Sequence, residues 1–168
     1  MSCEHRRDGF TLSTDPGRLD LGAIHAFLAT SYWAEGIPRE ILERALRNSL
    51  CFGLYAGEGA GERQIGLSRV ITDAATYAYL CDVYVLPEWR GRGLGTWMME
   101  CVMAHPDLQG LRRFSLVTRD AHELYRPFGF TEIASPGRHM EIARPGIYKS
   151  RGHPTDPTDP SNQTDNAC

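Results

Sequence analysis

One stretch rich in glycine and arginine, VLPEWRGRGLGTWMME at Val85–Glu100, constrains the fold of this chain more than any other segment. It joins an aromatic and β-branched run, typical of a strand, to a segment typical of a helix. The first turn of such a helix has unpaired N–H groups, and glycines before it let the backbone turn sharply and approach a ligand. Arg90 and Arg92 add positive charge. The stretch is either a plain solvent-exposed turn or a cradle for a phosphate or pyrophosphate group.

Helix and strand patterns alternate on both sides of this stretch. The predicted helices are Leu19–Thr30, Pro38–Asn48, Leu94–Ala104 and Ala121–Phe128, and the predicted strands are Cys51–Ala56, Gln64–Thr72, Tyr77–Val85, Phe114–Thr118 and a last strand near His139–Ala143. The turn sequences GEGAGE and DAAT separate the first three strands, which predicts an antiparallel meander. The whole pattern predicts an α+β fold with helices packed on a central, mixed sheet.

These patterns predict one folded domain at residues 8–145. The segment 149–168 after it consists mainly of Pro, Asp, Thr and Asn, with almost no apolar side chains. Such a segment buries too little apolar surface to offset its ordering entropy. We therefore expect a disordered C-terminal tail.

Composition argues against several functional classes. The chain has 168 residues and a formal net charge of −3, without the basic balance of a nucleic-acid binder. Its five cysteines are widely spaced, with no CxxC and no Cys/His cluster, which argues against a disulfide framework and a metal site and favours a reducing compartment. The sequence contains neither an apolar signal-peptide core nor a membrane-spanning apolar run of about 18 residues. We expect a cytoplasmic protein without metal, nucleic acid or membrane partners.

Two motifs resemble those of the GNAT superfamily of N-acetyltransferases. The segment RGRGLG at Arg90–Gly95 is similar to the family signature R/Q-x-x-G-x-G/A, and it follows the strand-like DVYVLP. The later segment AHELYRPFGF resembles the family's final motif, in which a tyrosine precedes a Gly-Phe pair. The order of the motifs matches, and the resemblance covers nearly all of residues 8–145. By contrast, the loop lacks the Lys-Ser/Thr of a Walker A motif and the spacing of GxGxxG.

The resemblance implies a GNAT-like fold, with a central, mixed, mostly antiparallel twisted sheet and helices on both faces. It implies an acyltransferase that uses acetyl-CoA as cosubstrate and acetylates a primary amine by direct attack in a ternary complex. It also implies a β-bulge in the strand before the loop, with free backbone groups that bind the pantetheine arm and stabilise the oxyanion. The implied cofactor-binding residues are Val83, Tyr84 and Val85 in that strand, and Arg90, Gly91, Arg92, Gly93, Leu94, Gly95 and Thr96 around the pyrophosphate.

Tyr125 matches the family's tyrosine near the thioester sulfur, and the resemblance implies that it protonates the leaving thiolate. A phenol with an ordinary pKa of about 10 is protonated at neutral pH and able to donate. The alternative is that Tyr125 only packs beside Leu124 and Phe128. Thr118 stands where many relatives have an asparagine that bonds coenzyme A, and Asp120 is predicted to cap the helix that carries Tyr125.

Asp82 is the second candidate catalytic residue. It interrupts the apolar and aromatic strand YAYLCDVYV, two residues before Tyr84 and therefore on the same face. A buried carboxylate needs a partner. Asp82 is either a base or anchor for the acceptor amine, or a structural residue that is hydrogen-bonded or exposed by a bulge. Asp73 and His122 are weaker candidates.

Tyr32 and Trp33 are the predicted substrate-binding residues, in the segment SYWAEGIP between the first two helices. In the family this loop covers the acceptor site. The two aromatic side chains either wall a pocket and hold a cationic amine by cation–π attraction, or fill the gap under the helix junction. A small-molecule amine is the favoured partner and a peptide or protein amine the alternative, while the oligomeric state is left open.

A non-catalytic acyl-CoA-binding or sensor domain on the same fold is the competing function. The tyrosine at position 125 weighs against it. Transfer of a longer acyl group is a third alternative. A covalent acetyl-cysteine route is not expected, because Cys81 lies in mid-strand without an evident neighbouring base.

Overall fold

In a computed structural model of the chain, which describes residues 2–144 and 146–149, six strands form one sheet in sequence order. The strands are β1 Glu4–Arg7, β2 Phe10–Ser13, β3 Leu50–Ala56, β4 Arg63–Thr72, β5 Tyr77–Val85 and β6 Arg113–Leu116. The helices are α1 Leu21–Leu28, α2 Arg39–Arg47, α3 Leu94–Ala104 and α4 His122–Tyr125. The predicted tail at 149–168 lies, apart from Lys149, outside the described residues.

Strand pairing confirms the predicted fold class. Strands β1 to β5 are antiparallel neighbours, so β3, β4 and β5 form the predicted meander. Strand β6 pairs in parallel with β5, because the chain crosses over through α3 before it returns to the sheet. The sheet is therefore mixed and mostly antiparallel.

Helices cover both faces of the sheet, as predicted. On one face α1 and α2 pack through Leu28 and Leu42 against side chains of the central strands, including Leu67. On the other face α3 packs through Met98 against Phe52 and its neighbours, and α4 joins the same cluster. Neighbouring residues of a strand point to opposite faces, so the strands supply both cores. These five side chains are almost completely buried.

The hairpin of β1 and β2 was not predicted. Arg7 and Phe10 pair across a two-residue turn, Asp8 and Gly9, with left-handed φ angles of 51° and 79°. Both signs match the type I′ turn that Asp-Gly favours, so this dipeptide was the signal that could have revealed the hairpin. Strand β1 pairs with β2, and β2 pairs with β3, so the hairpin is part of the sheet. The sheet therefore begins before residue 8, which is the predicted start of the domain.

Strand β5 contains the β-bulge that the family resemblance implied. Leu67 of β4 pairs with Tyr84, whereas Arg69 of β4 pairs with Cys81, so β5 has one residue more than β4 over this stretch. Asp82 lies within the bulge and has a left-handed φ of 50°. An extra residue bends a strand and disrupts its ladder, which matters for the site described below.

The predicted last strand near His139–Ala143 is wrong. These residues have irregular backbone and do not pair with β6. Met140 and Ile142 alternate with polar neighbours, which is the period of a strand, but they are 99% and 90% exposed. Strand pairing is favoured where one face is buried, and here neither apolar side chain contacts the core.

Ala74 provides a test of the turn between β4 and β5. Its φ of 56° is left-handed, a conformation that costs alanine about 1 kcal/mol and glycine almost nothing. We expect Ala74→Gly to raise the free energy of unfolding by about 0.5 kcal/mol in urea titrations. Ala75→Gly is the matched control, because the φ of Ala75 is outside the left-handed region. That variant should have a lower free energy of unfolding than the wild type. Destabilisation by both substitutions would contradict the turn geometry.

Candidate active site

The loop between β5 and α3 has a row of backbone N–H groups without partners. The first hydrogen bond of α3 runs from the Trp97 N–H to the Gly93 carbonyl oxygen, at 3.0 Å. Among the described residues, the N–H groups from Gly91 to Thr96 have no acceptor. Gly91 and Gly93 have φ angles of 75° and 72°, and a Cβ on either would meet nothing within 4 Å. Free donors beside open space are what an anion cradle needs.

The two arginines of the loop make different contacts. The Arg90 Nε donates to the Val85 carbonyl oxygen at 2.9 Å, which ties the loop back to the end of β5. The Arg92 guanidinium is exposed and lies 5.0 Å from the centroid of the Trp89 ring. Sequence reasoning missed Trp89, which the Arg63 guanidinium also contacts at 5.3 Å. Because stacking leaves the N–H groups at the guanidinium edge free, Arg92 keeps donors for a phosphate.

Pairing between β5 and β6 stops just before the bulge, and we call the space beside the unpaired edge of β5 the cleft. The two strands pair only over the first four residues of β5. On the opposite side of β5, the Leu86 N–H donates to the Ile65 carbonyl oxygen of β4 at 2.8 Å. Successive residues direct their backbone groups to alternate sides of a strand. Val83 and Val85 therefore direct theirs into the cleft, whereas the backbone of Tyr84 faces β4.

Tyr125 ends α4 close to the start of α3. The Leu124 side chain lies 3.8 Å from the position that a Gly95 Cβ would take, so α4 packs directly on the end of the glycine-rich loop. The Tyr125 ring is buried, with its centroid 6.0 Å from that of Phe130. Burial, with a smaller contribution from nearby Tyr32, raises the pKa of Tyr125 to about 12. The phenol therefore keeps its proton at neutral pH.

The turn before α4 corrects one prediction. Asp120 does not cap the helix, because its exposed carboxylate accepts from Arg119 at 3.2 Å. The Thr118 hydroxyl oxygen closes the turn instead, accepting from the Ala121 N–H at 3.0 Å. A hydroxyl that accepts one hydrogen bond still has its own proton to donate. Thr118 therefore retains a donor in the turn just before α4.

Tyr32 and Trp33 form an aromatic wall in the loop between α1 and α2. They are 53% and 43% exposed, and their rings meet nearly at right angles with centroids 4.9 Å apart. The Arg119 guanidinium lies 3.9 Å from the Tyr32 ring centroid. Behind the wall, Phe27 stacks on Tyr84 at 3.8 Å and lies 6.3 Å from Trp33. Because the two wall rings are half exposed, they do not simply fill the gap under the helix junction.

Asp82 is held in a buried ion pair at the bulge. Its Oδ2 accepts from the Arg69 Nε at 2.6 Å, and the two side chains are only 9% and 14% exposed. Its Oδ1 accepts from the Trp33 Nε1 at 3.0 Å. Sequence reasoning did not single out Arg69, because nothing in the chain pattern links β4 to this carboxylate. The structure thus supplies the partners that a buried charge requires.

The weaker candidates lack a catalytic setting. The Thr76 hydroxyl and several turn N–H groups donate to Asp73, which holds the pKa of its carboxyl far below the usual range. His122 is exposed. Burial raises the pKa of the Cys81 thiol to about 12, so little nucleophilic thiolate forms.

Within residues 2–144 and 146–149, no group of three or more His, Cys, Asp or Glu is placed to hold a metal ion. No helix in the same residues combines the length and hydropathy needed to cross a bilayer.

Comparison with known proteins identifies the family. The sequence profile of the acetyltransferase (GNAT) domain matches residues 47–132. A presumed acetyltransferase of Gibberella zeae is 41% identical over 138 residues, which cover 71% of this chain and 77% of that protein. The chloroplastic serotonin N-acetyltransferase 2 of Oryza sativa subsp. japonica is 31% identical over 149 residues, which cover 85% of this chain and 70% of that protein.

A solved structure extends this likeness to three dimensions. The crystal structure of a presumed GNAT-family acetyltransferase from Xanthomonas campestris pv. campestris is 50% identical, with a TM-score of 0.80. The match covers 86% of this chain and 100% of that chain. The matched profile contains the bulge, the glycine-rich loop and Tyr125, which are the features that the sequence motifs indicated. The chain therefore belongs to the GNAT superfamily of N-acetyltransferases, and it is an acyltransferase.

Proposed function

We propose that this protein transfers the acetyl group of acetyl-CoA to a small primary amine by direct attack in a ternary complex. Membership of the family establishes acetyl transfer in general terms. The observation that carries the proposal is the row of free N–H groups from Gly91 to Thr96, which follows β5 after a single 3-10 turn at Pro87–Trp89. A helix N-terminus with this glycine pattern suits a pyrophosphate better than any uncharged ligand.

Three parts of acetyl-CoA have a matching group in the proposed site. The pyrophosphate fits the free N–H groups of the loop, with Arg92 adding charge and Arg90 fixing the loop to β5. The pantetheine arm would lie in the cleft, where the backbone groups of Val83 and the N–H of Val85 would bond it in the manner of an added strand, since the Val85 carbonyl oxygen already accepts from Arg90. An N–H of the same strip would stabilise the negative charge that develops on the thioester oxygen during attack.

Water and one residue of the chain account for the proton transfers. The acceptor loses its ammonium proton to water, and the amine nitrogen then forms a bond to the thioester carbon. The C–S bond breaks with its electron pair on sulfur, and the Tyr125 hydroxyl donates a proton to the departing thiolate. The second proton of the nitrogen leaves to solvent, which reprotonates Tyr125. A tyrosine whose pKa is raised to about 12 by burial is protonated before each turnover.

The proposed acceptor is a small amine that carries an aromatic ring. Tyr32 and Trp33 present half-exposed π faces beside the tyrosine of α4, and such faces attract both a ring and an ammonium group. The likeness to a serotonin N-acetyltransferase supports this choice, because serotonin is a primary alkylamine whose side chain is attached to an aromatic indole ring. Peptide and protein amines are the alternative acceptors.

We also propose a cytoplasmic location. Among the described residues the cysteines Cys3, Cys51, Cys81 and Cys101 are all free. Free thiols are typical of proteins in a reducing compartment. This inference keeps the location predicted from the spacing of the cysteines.

A panel of amines tests the proposed reaction. Release of free thiol from acetyl-CoA should be fastest with arylalkylamines, slower with alkylamines, and slowest with peptides and lysine-containing proteins. Binding of acetyl-CoA by calorimetry, without thiol release for any member of the panel, would instead favour the non-catalytic sensor. Faster turnover of a peptide than of every small amine would contradict the proposed acceptor.

Gly93→Asp tests the loop as the pyrophosphate site. The new carboxylate would enter the open space beside the free N–H groups and repel a phosphate, so the Kd for acetyl-CoA should rise at least about tenfold. Gly110→Asp is the matched control, because Gly110 has a similar φ of 68° and equally open surroundings beyond the other end of α3. Equal affinity in the two variants would refute the assignment of the loop.

Tyr125→Phe tests the proton donor. Removal of the hydroxyl should lower kcat by roughly 10²-fold and leave both KM values nearly unchanged. Tyr55→Phe is the control, because it removes another buried tyrosine hydroxyl, which donates to the Arg18 carbonyl oxygen at 3.0 Å. That variant should lose stability without a fall in kcat. An unchanged kcat in Tyr125→Phe would leave Tyr125 with a packing role.

A further inference from the structure

Asp82 links two parts of the site that are far apart in the sequence. One carboxylate oxygen accepts from Arg69 on β4, at 2.6 Å, and the other accepts from Trp33 in the loop between α1 and α2, at 3.0 Å. The chain of contacts continues from Arg69 Nη1 to the Ser49 hydroxyl oxygen at 3.0 Å. That hydroxyl in turn donates to the Ala45 carbonyl oxygen of α2 at 2.8 Å. The network therefore ties α2 and the aromatic wall to the bulge.

These contacts occupy both oxygens of Asp82. Each oxygen already accepts a hydrogen bond, and the carboxylate is only 9% exposed. Asp82 is also the counter-charge of the buried Arg69 guanidinium. Although burial lowers the pKa of Arg69, the charge and hydrogen bond of Asp82 raise it above its ordinary value. The pair thus behaves as a fixed ionic unit.

Trp33 is partly exposed and contacts two other aromatic rings, Tyr32 and Phe27. It lies in an irregular loop, is 43% exposed, and meets Tyr32 edge-on and Phe27 at 6.3 Å between centroids. A half-exposed indole in a loop keeps several rotamers unless its N–H is bonded. The hydrogen bond to Asp82 therefore selects the orientation of the ring that faces the site.

We propose that Asp82 is a positioning residue, which Arg69 fixes in the bulge and which holds the Trp33 ring in place as the wall of the acceptor pocket. This inference rests on the proposed function, because it assumes that an amine binds against the aromatic wall. It assigns the acidic residue of β5 to the binding of the acceptor, and it leaves removal of the ammonium proton to water. Asp82 then acts on the reaction through Trp33.

Three substitutions separate positioning from base catalysis. Trp33→Phe keeps an aromatic ring but removes the indole N–H, Asp82→Ala removes the acceptor oxygen, and Asp82→Asn keeps an oxygen without the charge. We expect Trp33→Phe and Asp82→Ala to raise the acceptor KM about tenfold, with the acetyl-CoA KM unchanged and kcat altered less than about threefold. Asp82→Asn should bind the acceptor more tightly than Asp82→Ala does, because the amide oxygen still accepts from the Trp33 N–H. The pH profile of kcat should keep its shape in all three variants.

A base at Asp82 gives the opposite pattern and would overturn the proposal. Asp82→Asn and Asp82→Ala would each lower kcat by roughly 10²- to 10⁴-fold and change the pH profile, while Trp33→Phe would resemble the wild type. Tyr77→Phe is the matched control, because Tyr77 lies at the other end of β5 from the site. The substitution removes an aromatic hydroxyl that is 2.7 Å from the Ser115 hydroxyl of β6. Its KM values should equal those of the wild type.

Hydrogen exchange tests the positioning role without any turnover. The N–H groups of Ala34, Gly36 and Ile37 are hydrogen-bonded within the loop and its junction with α1. Mass spectrometry of peptides that cover residues 31–37 should show exchange roughly threefold faster or more in Asp82→Ala and Trp33→Phe, but not in Tyr77→Phe. Should Asp82→Ala fail to fold, Trp33→Phe alone decides the outcome.

Hydrogen exchange and acetylation kinetics together test this inference separately from the proposed function. Unchanged exchange in the variants overturns the positioning role even if amines are acetylated. Faster exchange without turnover of any amine supports the link between Asp82 and the loop and refutes the proposed acceptor instead.

Discussion

One extra residue in β5 marks the place where the candidate site begins. The bulge lies around Asp82, just after Leu80, the last residue of β5 that pairs with β6. A bulge disrupts the ladder of a strand, and the backbone groups beyond it on the β6 side have no strand partner. The glycine-rich loop follows the end of the same strand, so the unpaired edge and the free N–H groups are close neighbours in the chain.

The parts of the site that are local in sequence could be predicted from it. The loop from Arg90 to Thr96 contains three glycines, which is typical of tight turns and of backbone that approaches a ligand closely. Its free N–H groups are expected because a helix begins there. Tyr125 was found because its motif is contiguous. The strands of the meander were found because their turns are marked by glycine and polar residues. In each case the signal and the structure occupy the same short segment.

The parts that depend on distant contacts could not be predicted. Arg69 and Trp33 both bond Asp82, yet they lie in different elements, and no spacing in the sequence brings them together. The left-handed φ of Asp82 was equally hidden, since aspartate gives a weaker signal than glycine for that conformation. Met140 shows the reverse error, because periodicity indicates a strand without showing whether any core faces it. Only the Asp8-Gly9 turn was a local signal that went unused.

The two cores on opposite faces of the sheet have a consequence for how such a protein changes over time. Helices α3 and α4, which carry the free N–H groups and Tyr125, belong to one core, whereas α1 and α2, which flank the aromatic wall, belong to the other. In the proposed site, a substitution under α1 or α2 acts on the acceptor through the aromatic wall, and the wall meets the other core where Tyr32 lies close to Tyr125. Selection for a new amine is therefore able to act largely through the core of α1 and α2, while the core of α3 and α4 preserves the proposed site of the acetyl donor.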